Sequence, residues 1–293
     1  MKQYIKIGTR KSKLAMVQTE MVVNAIKKVN TDIEIELVPM TTIGDKVLDK
    51  PLESFGGKGA FISEFEDALL TGKIDMAVHS AKDMPISLPK GLSILAVSLR
   101  EDPRDVLVTR KNCPLPQNGI VGTSSLRRQI QIEELYPVQT KNLRGNVGTR
   151  LLKLQNKEYD GIILAAAGLK RLNFQEDKEY DFMYLDEDSF IPAAGQGIIA
   201  IEGREEAALQ AVLQSFNHME SMYNLETERE VLKLLNAGCS EPVGVYSNID
   251  KDKIILRVIY KYKNKVIRVN GIAKIEERLL LAKKLVNDII NFE

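Results

Sequence analysis

Five arginines, Arg127, Arg128, Arg144, Arg150 and Arg171, fall within one short stretch of this 293-residue chain, each beside a segment that reads as a strand end or a loop edge. Arginine's planar fork holds a carboxylate or phosphate with two parallel hydrogen bonds. Each charge-assisted bond contributes roughly 1.5–3 kcal/mol, so a ligand with many carboxylates is held tightly without an apolar pocket. In "VGTSSLRRQ" (121–129), Thr123, Ser124 and Ser125 stand at a helix start, where hydroxyls cap or donate to an anion, and Arg127 and Arg128 follow. Adjacent arginines cannot share one helix face, so a purely structural role for both calls for two partners. In "NLRGNVGTRLLKL" (142–154), Gly145 and Gly148 permit a sharp loop between Arg144 and Arg150. For scattered lysines a solvated basic face is the alternative.

"AVHSAKDMP" (77–85) follows a strand and places Lys82 and Asp83 at its carboxyl end, the position where open α/β sheets bind ligands. Asp83 is either a functional carboxylate or a turn and capping residue. Cys239 sits in "LNAGCSEPVG" (235–244), where Gly238 and Pro242 specify a turn. It is either a reactive, modified thiol or a structural cysteine. "GGKGAF" (56–61) fails as a phosphate-binding loop, because Leu52 and Gly59 stand where that pattern needs glycine and Ser/Thr. What remains is a loop carrying the cation Lys58, either a flap or simply flexible. Leu126 stands where a nucleophile elbow needs its last glycine, which argues against a serine hydrolase. With two histidines and no HExxH or CxxC spacing, no metal site is expected.

The elements that must hold these residues alternate. "YIKIG" (4–8) and "IEIELVP" (33–39) have period-two spacing, Leu14, Val17, Met21 and Ala25 recur at helical spacing, and a helix over 61–72 leads into a strand at 74–79. After "SLREDPR" (98–104) the same order restarts through 171, giving a second α/β lobe. "SFIPAAGQGIIAIE" (189–202) reads as another connector. A helix near 217–235, three strands and a closing helix make a small α+β domain.

Charge is uneven along the chain. Residues 100–171 hold 13 basic and 7 acidic groups and eight of the 14 arginines, whereas 172–230 hold 3 basic and 14 acidic groups. Nucleic acid competes as the anion, but aromatics amount to 6% with no tryptophan, and no stacking platform accompanies the basic residues. The longest apolar run, "IILAAAGL" (162–169), is too short to cross a bilayer, and the N-terminus has no signal-peptide core. The expected compartment is cytoplasmic, with Cys113 and Cys239 as free thiols.

In order along the chain, "TRKSKLA", "VPMTTIGD", "GGKGAF", "AVHSAKDMP", "REDPRD", "VGTSSLRRQ", "LRGNVGTRL", "AAAGLKRL", "PAAGQG" and "AGCSEPVG" resemble the hydroxymethylbilane synthase (porphobilinogen deaminase) family. The resemblance implies two periplasmic-binding-protein-like α/β lobes plus a small C-terminal α+β domain: residues 1–98 with 197–215, residues 99–196, and residues 216–293. It implies a dipyrromethane cofactor joined to Cys239 by a thioether, and stepwise condensation of four porphobilinogen molecules on it, with loss of ammonia and hydrolytic release of hydroxymethylbilane. By the same resemblance Asp83 is the catalytic carboxylate, stabilising the cationic azafulvene and moving protons. Arg10, Ser12, Lys82, Arg127, Arg128, Arg144, Arg150 and Arg171 bind cofactor or substrate carboxylates, Thr123, Ser124, Ser125 and Asn146 assist, and Lys58 covers the cleft. A monomer is expected, with no nucleic acid, membrane or obligate protein partner. Lys13, Ser54 and Ala237 depart from the family's commoner proline, lysine and glycine. The rival class is a non-catalytic anion-binding module on the same lobes, which carries no covalent adduct.

Overall fold

The computed structural model describes residues 4–41, 63–238, 241–263 and 265–292. In chain order the first strands are β1 (Tyr4–Arg10), β2 (Glu34–Met40), β3 (Met76–Ser80) and β4 (Leu92–Val97). Next come β5 (Asp105–Arg110), β6 (Ile120–Gly122), β7 (Gln139–Lys141), β8 (Gly161–Ala165) and β9 (Tyr180–Tyr184). The last are β10 (Ile199–Arg204), β11 (Val243–Asp250), β12 (Lys253–Tyr262) and β13 (Lys265–Lys274). The described α-helices are α1 (Lys13–Val29), α2 (Ser63–Leu70), α3 (Leu126–Leu135), α4 (Val147–Gln155), α5 (Ala166–Arg171), α6 (Ala207–Leu213), α7 (Met219–Leu235) and α8 (Arg278–Ile290). They divide into two compact units, Met1–Glu101 with Ile198–Glu226, and Asp102–Gly197 with Thr227–Glu293.

The first unit is built on a sheet of order β2-β1-β3-β10-β4, with β1, β2 and β3 parallel and β10 antiparallel to both of its neighbours. Alternation places Ile5 and Ile7 in the core against Val22 and Ile26 of α1. That helix starts at Ser12, whose hydroxyl accepts from the Ala15 amide at 3.3 Å. Lys13 is its first helical residue, a position whose amide needs no partner and where proline is also favoured.

The second unit holds a sheet of order β7-β6-β8-β5-β9, again three parallel strands followed by two antiparallel junctions. Numbering each sheet's strands along its own lobe gives the same order, with the fourth position taken by a strand from outside the run: β10 in the first sheet, β5 in the second. In both, the first and third strands lie side by side, so their carboxyl ends form the switch point where such sheets bind ligands. This unit also contains the antiparallel sheet β11-β12-β13, covered by α8 through Leu281, Leu285 and Ile289. Strands β4 and β9 and helices α5 and α6 have no counterpart in the elements read from sequence.

Candidate active site

At the switch point of the first sheet, β1 ends at Arg10 and β3 runs into a single 3-10 turn, Ala81–Asp83. The amide of Ala81 donates to the Ile198 carbonyl at 3.0 Å, so the turn is fixed to the chain entering β10. A pocket of about 70 Å³ opens there, lined among others by Arg10, Ser12, Gln18, Ser80 and Asp83. That volume is far below the roughly 300 Å³ of a complete ligand site, and suits a carboxylate or one ring edge. Gln18 is buried and donates from Nε2 to Ser80 Oγ at 2.9 Å. Asp83 is exposed, and its carboxylate makes no hydrogen bond or ion pair among the described residues. Asp83 is the last residue of that turn, and its side chain caps nothing among the described residues. Lys82, beside it, is half-buried.

Behind the strand end lies a second polar pair. His79 Nε2 stands 3.0 Å from Glu202 Oε2, with the two side chains 5% and 0% exposed. Phe65 of α2 meets the imidazole edge-on, ring centroids 5.3 Å apart.

In the second unit, β6 ends in Gly122 and the chain turns through Thr123, Ser124 and Ser125 into α3. The hydroxyls do different things. Thr123 Oγ1 accepts from the Ser125 amide at 3.2 Å, and Ser125 is the N-cap residue without a side-chain capping bond. Ser124 Oγ donates to the Leu143 carbonyl and accepts from the Leu143 amide, both at 3.0 Å. This double bond ties the β6 turn to the loop that carries Arg144, Asn146 and Arg150. Within that loop Gly145 has φ +116°, a conformation that L side chains resist. Asn146 caps α4, its Oδ1 accepting from the Thr149 amide at 2.9 Å, and Arg150 Nε donates to the Gly145 carbonyl at 2.7 Å. Arg144 is half-buried and has no ion pair among the described residues. At the end of α5, Arg171 Nη2 donates to the Gly197 carbonyl at 2.6 Å.

Arg127 and Arg128 are both buried, and both reach one carboxylate, that of Asp105 at the start of β5. The expectation of two separate partners is corrected here. Residues one apart on a helix diverge by about 100°, but guanidinium stems are long enough to converge on a strand lying across the helix start. Asp105 closes the segment "REDPRD" and is not among the residues that spacing alone singles out. The signal was a charged residue heading the apolar run "VLVT", where burial demands a cation. Gln18, Gln196 and Glu202 were likewise missed. Lys58 and Cys239 lie outside the described residues, and no group of His, Cys, Asp and Glu among the described residues has the arrangement of a metal site.

Two family profiles match, one described as "Porphobilinogen deaminase, dipyromethane cofactor binding domain" over residues 5–211, the other as "Porphobilinogen deaminase, C-terminal domain" over 222–291. The chain belongs to the porphobilinogen deaminase family. The porphobilinogen deaminase of Acetivibrio thermocellus is 48% identical over 262 residues, which is 89% of this chain and 88% of that one. That of Alkaliphilus metalliredigens is 40% identical over 295 residues, covering 99% and 88%. Among solved structures, the periplasmic aliphatic sulphonate binding protein SsuA from Escherichia coli aligns over 80% of this chain and 71% of its own, at 14% identity and a TM-score of 0.44. Porphobilinogen deaminases are transferases that make hydroxymethylbilane on a dipyrromethane cofactor, and membership brings that activity and that cofactor to this chain.

The described residues fit such a group. Among the described residues, the hydrogen bonds of the Arg127 guanidinium come from Nη1 alone, leaving Nε and Nη2 without a partner there. Gly244, five positions after Cys239, lies so close to the Arg127 stem that a Cβ there would stand 3.1 Å from its Cδ. The Arg127 guanidinium, with two nitrogens unused by the described residues, thus borders the strand that follows the cysteine motif. No helix among the described residues is long and apolar enough to cross a membrane.

Proposed function

We propose that Asp83 is the catalytic carboxylate of this porphobilinogen deaminase, that Cys239 anchors its dipyrromethane, and that the arginines of the second unit hold the acetate and propionate groups of cofactor and substrate. The observation carrying the reading is Asp83 itself, an exposed carboxylate fixed on a turn at a sheet switch point and committed to no other described residue. When bound, the dipyrromethane supplies the primer to which porphobilinogen units are joined.

This chain's residues then do three things. Arg10, Ser12 and Lys82 bring positive charge and donors to the Asp83 pocket, where they orient the carboxylates of an incoming pyrrole. As ammonia departs from that substrate, its ring takes on positive charge, and the fixed Asp83 carboxylate stabilises the charge where it develops. Asp83 also accepts the proton released when the new carbon–carbon bond forms. Arg127, Arg144, Arg150 and Arg171, with Thr123, Ser125 and Asn146, supply donors that offset the growing negative charge of the product chain, while Arg128 adds positive charge and Ser124 holds the Leu143 loop in place. Residues 216–293 act as the cofactor-bearing domain, and Lys58 as a cation over the site. The same reading has the enzyme in the cytoplasm and working without an obligate protein partner.

Intact-mass measurement tests it. The purified protein should exceed its polypeptide mass by one dipyrromethane, and Cys239→Ser should remove the excess along with turnover. An unmodified Cys239 in protein that turns over porphobilinogen would overturn the anchor assignment.

A further inference from the structure

Asp105 is fully buried and receives hydrogen bonds from Arg127, Arg128 and Gln196. Arg127 Nη1 donates to Oδ2 at 2.6 Å, Arg128 Nε and Nη2 donate to Oδ1 at 3.1 and 2.7 Å, and Gln196 Nε2 donates to Oδ1 at 3.0 Å. The same Gln196 amide donates to the Pro103 carbonyl at 2.7 Å, so it locks the carboxylate to the backbone just before β5. The two arginines are used unequally. Arg128 engages all three nitrogens, its Nη1 donating to the Ile163 carbonyl at 2.9 Å. Arg127 spends only Nη1, which also donates to the Ile191 carbonyl at 2.8 Å.

Charge does not balance in this cluster. Asp105 is the one carboxylate paired with either guanidinium among the described residues, so one positive charge stays uncompensated where the side chains are 4% and 8% exposed. Such a charge is costly unless an anion arrives. Burial pulls the Arg127 guanidinium below its ordinary value, Asp105 opposes this, and Arg128 adds to it. Arginine nonetheless keeps its proton, so the deficit is met by a ligand. Nε and Nη2 form the side of the guanidinium that takes a carboxylate with two parallel bonds.

Resting on the reading that these arginines bind ligand carboxylates, we infer that Asp105, locked by Gln196, is a positioning residue: it takes Arg128 as a strut and fixes Arg127 so that Nε and Nη2 receive one carboxylate of the cofactor or substrate.

The test compares Asp105→Asn, Gln196→Leu and Arg127→Gln by cofactor occupancy (intact mass), KM and kcat for porphobilinogen in the loaded fraction, and melting temperature. Asp105→Asn is expected to leave a large apo fraction and to raise KM roughly tenfold or more, with kcat of loaded enzyme changed far less. Full occupancy and a KM within about twofold of the parent, with only a lower melting temperature, would make Asp105 merely structural and overturn the inference. Should Asp105→Asn not fold, Gln196→Leu decides. It removes one bond to Oδ1 with the charges kept, and is expected to raise KM roughly threefold or more; an unchanged KM overturns the inference. Arg127→Gln separates the two levels. If it too keeps occupancy and KM, the carboxylate-binding reading fails; if it loses them while the Asp105 and Gln196 variants do not, only the positioning role fails.

Discussion

Glu202 Oε2 lies 3.0 Å from His79 Nε2, and the glutamate side chain has no exposure at all. The contact lacks hydrogen-bond alignment, and neither Glu202 oxygen has a hydrogen-bond donor among the described residues. His79 is the polar side chain that faces this buried carboxylate. It is held between β3 and β10, where His79 is paired with Ala200 and Glu202 with Ala77. Removing one member leaves the other's buried polar atoms without a counterpart, which costs about 1–3 kcal/mol, while replacing both by apolar residues can be nearly neutral. His79→Leu should lower the urea midpoint sharply, and His79→Leu with Glu202→Leu should recover most of the loss. A double variant as unstable as the sum of the two single ones would show that the residues are not coupled.

Asp83 sits on the same strand's exit and has the opposite character. An exposed carboxylate without partners contributes little to folding, so Asp83→Asn should change stability by no more than about 0.5 kcal/mol. Its loss should nevertheless reduce kcat by about a hundredfold or more, the scale of removing a charge aimed at the transition state. Urea denaturation beside steady-state turnover reads both. Near-normal turnover, or loss of turnover only in step with unfolding, would count against the catalytic role.

The sequence carried the parts of this site whose signal is local. Thr123 to Ser125 before Arg127 and Arg128, Gly145 between Arg144 and Arg150, and Asp83 after an apolar strand are each visible as residue types at short spacing. The strands and helices that hold them follow from periodicity, and α4 (Val147–Gln155) carries an amphipathic run with buried Leu151 and Leu154. Pairings set by topology were not legible. Asp105 meets α3 because β5 runs antiparallel beside β8, and Gln196 reaches it across 91 positions. Likewise β10 enters the first sheet more than a hundred residues after β4.

Some elements escaped for local reasons. Strand β9 (Tyr180–Tyr184) has no fully buried residue, so no alternation marks it. Helix α5 continues the same apolar run as β8, and a change from strand to helix inside "GIILAAAGLKR" leaves no polar break to read. The adjacent arginines were judged by helix faces alone, a rule that holds for short side chains and fails for stems that can bend toward one buried carboxylate.

Glu66 of α2 gives the pH prediction. Burial raises its carboxyl to about 7 from the ordinary 4.5, with Glu202 and then Asp67 pushing the same way. The folded state consequently keeps a proton that the unfolded chain releases between pH 4.5 and 7. Because the folded value is raised, the stability tied to this group is fully present below 4.5 and is lost as pH rises through 7. Glu66→Gln cannot ionise and escapes that loss. It should match the parent in acid and exceed it above neutrality by roughly 1 kcal/mol, after allowance for the part of the side chain that faces solvent. Urea midpoints for both proteins across this range measure the effect. A difference that stays constant with pH would mean that Glu66 does not hold its proton in the folded protein, and that Glu202 exerts no pressure on it.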